Sequence, residues 1–127
     1  MANRILLAED NEDNRDMLAR RLRKRNFEVL FAENGQKAID LAGSESPDLI
    51  LMDISMPIKS GLEAIEEIRG FADETIATTP IIALTAHAME SDRELSLAAG
   101  ADDFETKPIN FGELLEKISA LCGSKDL

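Results

Sequence analysis

The chain has 127 residues, enough for one compact domain, and 44% of them are hydrophobic, which argues against disorder. Its 25 acidic and 14 basic residues leave a formal net charge of −11, a surface that repels phosphate backbones and suits a divalent cation or a basic partner. The single cysteine, Cys122, excludes an internal disulfide, and no apolar stretch approaches the roughly 18 residues of a membrane helix, so a soluble cytoplasmic protein is expected.

Ile5-Leu6-Leu7-Ala8 is a short apolar run that stops at Glu9-Asp10, and it reads as the first strand. From about Asp13 to Arg25 the pattern becomes helical, with Met17, Leu18 and Leu22 assigned to one face. The other face carries Arg20, Arg21, Arg23, Lys24 and Arg25. Glu28 to Ala32 reads as a second strand, and Asn34-Gly35 opens a helix with a narrow stripe of Ala38, Ile39 and Ala42. Leu49 to Met52 is a continuous apolar run between prolines that ends on Asp53, which suits a strand buried on both faces of a parallel sheet.

Ser60 and Glu63 have capping-box spacing before a third helix with Leu62, Ile65 and Ile68 inside. Phe71 to Thr79 reads as a polar connection, and Pro80 to Thr85 as the fourth strand. Ser91 and Glu94 repeat the capping-box spacing for a helix ending at Gly100. Asp102 to Glu105 is a short last strand around Phe104. Asn110 and Glu113 open a final helix with Phe111, Leu114, Leu115, Ile118 and Cys122 at helical spacing. Five strands alternating with five helices predict a doubly wound parallel α/β sheet, helices on both faces, in a single domain over 1–127.

In such sheets chemistry gathers beyond the carboxyl ends of the strands. Glu9, Asp10, Asp53, Thr85 and Lys107 all follow or end predicted strands. Three carboxylates that close repel one another, and Mg²⁺, a hard cation that accepts a few oxygen ligands and keeps its waters, relieves the repulsion. A carboxylate beside Mg²⁺, a hydroxyl and a lysine suits phosphoryl transfer, with Asp53 as nucleophile.

The ordered set Glu9-Asp10-Asn11, Pro47 to Asp53 with Met56-Pro57 and Gly61, Ala83-Leu84-Thr85-Ala86, Gly100-Ala101-Asp102 and Lys107-Pro108 resembles the receiver domain of two-component response regulators. The resemblance implies a flavodoxin-like strand order of 2-1-3-4-5. It also implies that Asp53 accepts a phosphoryl group from a phosphohistidine on a sensor histidine kinase or a histidine phosphotransfer protein. Glu9, Asp10, Asp53 and the backbone carbonyl of Ser55 match the Mg²⁺ ligands. Lys107 matches the phosphate-contacting lysine, Thr85 the switch hydroxyl and Phe104 the switch aromatic. The Lys107-Pro108 bond is expected to be cis.

The resemblance further implies that Ser55 and His87 occupy positions that modulate the pocket, and His87 is expected to affect autodephosphorylation. The resemblance also implies that the first helix docks the phosphodonor, with Arg20, Arg21 and Lys24 expected to take part, since basic charge on an acidic protein can steer such a docking. The helix lacks interleaved aromatics, so no nucleic-acid site is assigned to it. A Mg²⁺-dependent aspartyl-phosphate phosphatase is the rival reading. Such enzymes usually place a second acid two residues after the nucleophile, and here that residue is Ser55. Nucleotide binding lacks its glycine motifs. The expected protein is therefore a switch without an external substrate, either stand-alone or part of a larger signalling protein.

Overall fold

The computed structural model describes residues 3–86 and 90–122. Strands β1 (Arg4–Ala8), β2 (Glu28–Ala32), β3 (Leu49–Asp53), β4 (Ile81–Thr85) and β5 (Asp103–Thr106) form one parallel sheet in the order 2-1-3-4-5. The connections carry helices α1 (Glu12–Arg23), α2 (Gly35–Glu45), α3 (Gly61–Arg69), α4 (Glu74–Ala77), α5 (Glu90–Ala99) and α6 (Phe111–Cys122). The expected α/β architecture and strand order are both present.

Every residue of β3 and β4 is buried, which explains their unbroken apolar character. Strand alternation sends Leu6, Ala8, Ile50, Met52, Ile81 and Ala83 to one face, against α2 and α3. Ile5, Leu7, Leu49, Leu51, Ile82 and Leu84 go to the other, against Leu18, Ala19 and Leu22 of α1 and Leu114 and Ile118 of α6. A fully buried aliphatic side chain contributes about 1.5–3 kcal/mol. Two such layers make the strand ends a stiff edge on which reactive groups can be fixed.

Several local expectations change. The connection 71–79 contains a four-residue helix, α4, capped by Asp73, whose Oδ1 accepts from Thr75 N at 2.9 Å. One buried residue, Ile76, is too little for periodicity to register. Ser91 does not cap α5, because that helix already includes Glu90; its spacing to Glu94 falls inside the first turn. Met17 is 46% exposed rather than buried. It lies 100° around the helix from Leu18, away from the arc shared by Leu18, Ala19 and Leu22. Leu62 is only half-buried, and Ala64 joins Ile65 and Ile68 inside instead. The last strand begins one residue later than expected.

Asp102 has a different task. The end of α3 sends Arg69 across the amino-terminal edge of the sheet, where its Nε donates to Gly100 O at 2.8 Å. Its Nη1 donates to Ala77 O at 2.8 Å and Thr79 O at 2.7 Å, and its Nη2 to Asp102 Oδ2 at 2.9 Å. The same Asp102 oxygen accepts from Ile81 N at 2.9 Å. One guanidinium thus ties α3, α4, the end of α5 and the entry to β5. Arg69→Ala is expected to cost about 3 kcal/mol, since several partners lose a charged donor together. A urea titration measures this, and a loss below about 1 kcal/mol would mean that solvent satisfies those carbonyls.

Candidate functional site

Register brings the reactive groups together. Ala8 pairs with Met52, so the following residues, Glu9 and Asp53, leave neighbouring strands side by side. Asp53 pairs with Leu84, and Thr85 with Thr106, which immediately precedes Lys107. Glu9 and Asp53 are each 3% exposed, Thr85 is fully buried, and Asp10 is exposed at the rim. One carboxylate oxygen from each of Glu9, Asp10 and Asp53 lies within 4.8 Å of the others.

Lys107 reaches into this group from the loop after β5. Its Nζ lies 2.7 Å from Glu9 Oε1 and 2.7 Å from Asp53 Oδ2, bridging two buried carboxylates. The Lys107–Pro108 peptide is cis. Backbone donors complete the acids: Ser55 N donates to Asp53 Oδ1 at 3.0 Å, and Asn11 N to Glu9 Oε2 at 3.2 Å. Asn11, not the acid pair, caps α1, with its Oδ1 accepting from Asn14 N at 2.9 Å. Both acids are therefore spared for the pocket.

The loop between β3 and α3 is pinned at both ends by glycines. A Cβ on Gly61 would stand 2.2 Å from Asp53 O, and one on Gly35 would stand 2.1 Å from Lys59 O. Only a residue without a side chain lets these backbones approach so closely. Between the pins, Ile58 holds a left-handed φ of 68° and is 78% exposed, a strained setting for a β-branched residue.

Burial dominates the Glu9 carboxyl, and its pairing with Asp53 adds to it; together they outweigh Lys107 and the Asn11 amide and raise its pKa from 4.5 to about 7. Burial pulls the Lys107 ammonium down, but its bonds to Asp53 and Glu9 more than offset this and leave it above its ordinary value. The donor set consists of hard oxygens drawn together at short range, which fits Mg²⁺.

Thr85 shares by alternation the opposite face, that of Ile81 and Ala83, where Phe104 also packs. Arg20, Arg21 and Lys24 lie exposed along α1. A cavity of about 560 Å³ runs from Met17 and Arg21 of this helix to Glu9, Lys107, Pro108 and Ile109. His87 lies outside the described residues. Sequence reasoning missed Met17 as a cavity residue and Arg15, whose Nη1 donates to Glu9 O at 3.2 Å. The signal for Arg15 was a charge on the apolar stripe of a helix.

The sequence matches the response regulator receiver domain family over residues 5–119. This chain belongs to that family. It is 44% identical over 121 residues to hybrid signal transduction histidine kinase I of Dictyostelium discoideum, an alignment covering 91% of the chain and 7% of that protein. The receiver domain of the sensor histidine kinase PA1611 from Pseudomonas aeruginosa, solved with a magnesium ion in its active-site cleft, is 37% identical with a TM-score of 0.88, covering 97% of this chain and 99% of that one. The Saccharomyces cerevisiae receiver of Ssk1, solved with the histidine phosphotransfer protein Ypd1, gives 32% identity and a TM-score of 0.88 over 99% of this chain and 92% of that one.

The receiver's acid pocket has a testable pH signature. Because the folded-state pKa of Glu9 is raised, the stability it contributes is complete below about 4.5 and is lost as pH rises through about 7. Thermal unfolding in metal-free buffer is expected to decline across that window, and Glu9→Gln to flatten the decline. An undiminished slope in the variant would place the titration elsewhere.

Proposed function

We propose that this receiver accepts a phosphoryl group on Asp53 from a phosphohistidine and uses the modification to change its protein-binding surface. The observation that carries this reading is the Lys107 ammonium bridging Glu9 and Asp53 at 2.7 Å each. Asp53 Oδ would attack phosphorus in line, forming an O–P bond as the N–P bond breaks, and the imidazole leaves neutral once it has kept or regained its ring proton. Lys107 then follows the negative charge onto the phosphoryl oxygens. Glu9, Asp10, Asp53 and the Ser55 carbonyl would hold Mg²⁺, which supplies charge neutralisation for the transferring group.

Thr85 and Phe104 are the proposed switch. Phosphate on Asp53 adds charge and acceptor oxygens that can recruit the Thr85 hydroxyl, and Phe104 shares the face to which that movement is passed. The partner is a sensor histidine kinase or a histidine phosphotransfer protein, met on α1 through Arg20, Arg21 and Lys24. Two neighbours support that choice, one a receiver seen with such a protein and the other a hybrid kinase. The setting is cytoplasmic and the role is a switch rather than turnover of an external substrate. Among the described residues no helix is long and apolar enough to cross a membrane. The phosphatase reading finds no support at Ser55, whose exposed hydroxyl is no acid at neutral pH.

Incubation with Mg²⁺ and acetyl phosphate is expected to add one phosphoryl group by mass, absent in Asp53→Ala and without Mg²⁺. No adduct on the wild-type protein would overturn the reading. Reversing charge at Arg20 and Arg21 is expected to slow transfer from the protein donor by at least about tenfold while sparing acetyl phosphate. Equal slowing with both donors would remove α1 from the docking surface.

A further inference from the structure

Arg15 stands three, four and seven residues before Leu18, Ala19 and Leu22, all of them buried. That spacing places a cation on the inward stripe of α1, where an apolar residue is the rule. The bland explanation is an arginine whose stem lies on apolar surface while its head reaches water. The contacts say otherwise. The guanidinium carbon sits 5.4 Å from the Phe31 ring centroid, a cation–π distance, and Nε is buried without a hydrogen-bond partner. Nη1 is delivered to a single backbone acceptor, the carbonyl of Glu9.

That carbonyl belongs to the peptide joining Glu9 to Asp10. Its orientation sets the direction in which the second acid leaves the strand. The amide of Glu9 is held from the other side, donating to Ala32 O at 3.0 Å. The last two residues of β2 therefore act on one unit, Ala32 directly and Phe31 through the arginine lying over it. Phe31 is itself shared with Arg23, 5.3 Å from its centroid, so two guanidinium groups of α1 meet one ring.

We propose that Arg15 is a positioning residue for the Glu9-Asp10 metal-binding pair, aimed by the Phe31 ring. The proposal rests on the reading of that pair as Mg²⁺ ligands. It acts on the ligands through the backbone and touches no reacting atom. Residues that orient metal ligands typically change affinity about 10–100-fold when lost.

Charge gives the test its sign. If Arg15 acted only as a nearby positive charge, its removal would make an acidic pocket more attractive to a cation and tighten Mg²⁺ binding. Positioning predicts the opposite. Calorimetric titration with Mg²⁺ is expected to show about tenfold weaker binding for Arg15→Met. Phe31→Leu should weaken binding in the same direction by less, since it leaves the arginine in place. Arg15→Lys, which keeps the charge but not the planar fork, should recover only part of the loss. Thermal unfolding without metal separates a general loss of fold from a local effect. A destabilised Arg15→Met would leave Phe31→Leu and Arg15→Lys to decide. Unchanged or tighter binding in Arg15→Met, or full recovery in Arg15→Lys, overturns the positioning role while leaving the metal site intact. No Mg²⁺ binding by the wild-type protein overturns the metal site itself.

Discussion

Everything at the carboxyl edge of this sheet depends on how three carboxylates are kept together. Two unit charges 4 Å apart interact by about 4 kcal/mol at an effective dielectric near 20, so an acid cluster without compensation would push the strand ends apart. Lys107 bridges the two buried members, and the proton drawn onto Glu9 is a second way of reducing the same repulsion. Both devices lower a repulsion that a hard cation would also relieve.

The rest of the fold makes that arrangement stiff. Parallel register places Glu9 beside Asp53 because Ala8 already pairs with Met52, and glycines at 35 and 61 let the following loop lie tightly on the strand end. Alternation then separates two roles. By alternation Glu9 and Asp53 follow the face packed by α1 and α6, whereas Thr85 and Phe104 follow the opposite one. Arg93 and Lys117 lie 5.8 and 5.4 Å from the Phe104 ring centroid, and Lys117 also donates to the Phe104 carbonyl and pairs with Glu105 at 2.9 Å. A displacement of the ring would therefore alter the setting of both cations.

Helix α1 works on both of its sides. Outward it presents Arg20, Arg21 and Lys24, of which Arg21 lines the cavity that reaches Glu9 and Lys107. Inward it places Arg15 against Phe31 and the Glu9 carbonyl. The exposed cations and the contact to the Glu9 carbonyl thus lie on opposite faces of one short helix.

Strand positions were legible because buried parallel strands are continuous apolar runs: Leu49 to Met52 and Ile81 to Leu84 could hardly be anything else. Asp53, Glu9 and Lys107 were legible as candidates because each follows such a run. The helix α4 was not, since a turn held by Asp73 and one buried isoleucine leaves no period to detect. Met17 has the residue type of a core position, but its angle from Leu18 turns it outward. What sequence by itself determined was the order of elements and the chemical types at their ends, since both follow from local patterning. Only the tertiary structure decided that one ammonium spans Glu9 and Asp53 and that Arg15 donates to the Glu9 carbonyl. Those facts come from register and face across strands distant in the chain, which local periodicity cannot encode.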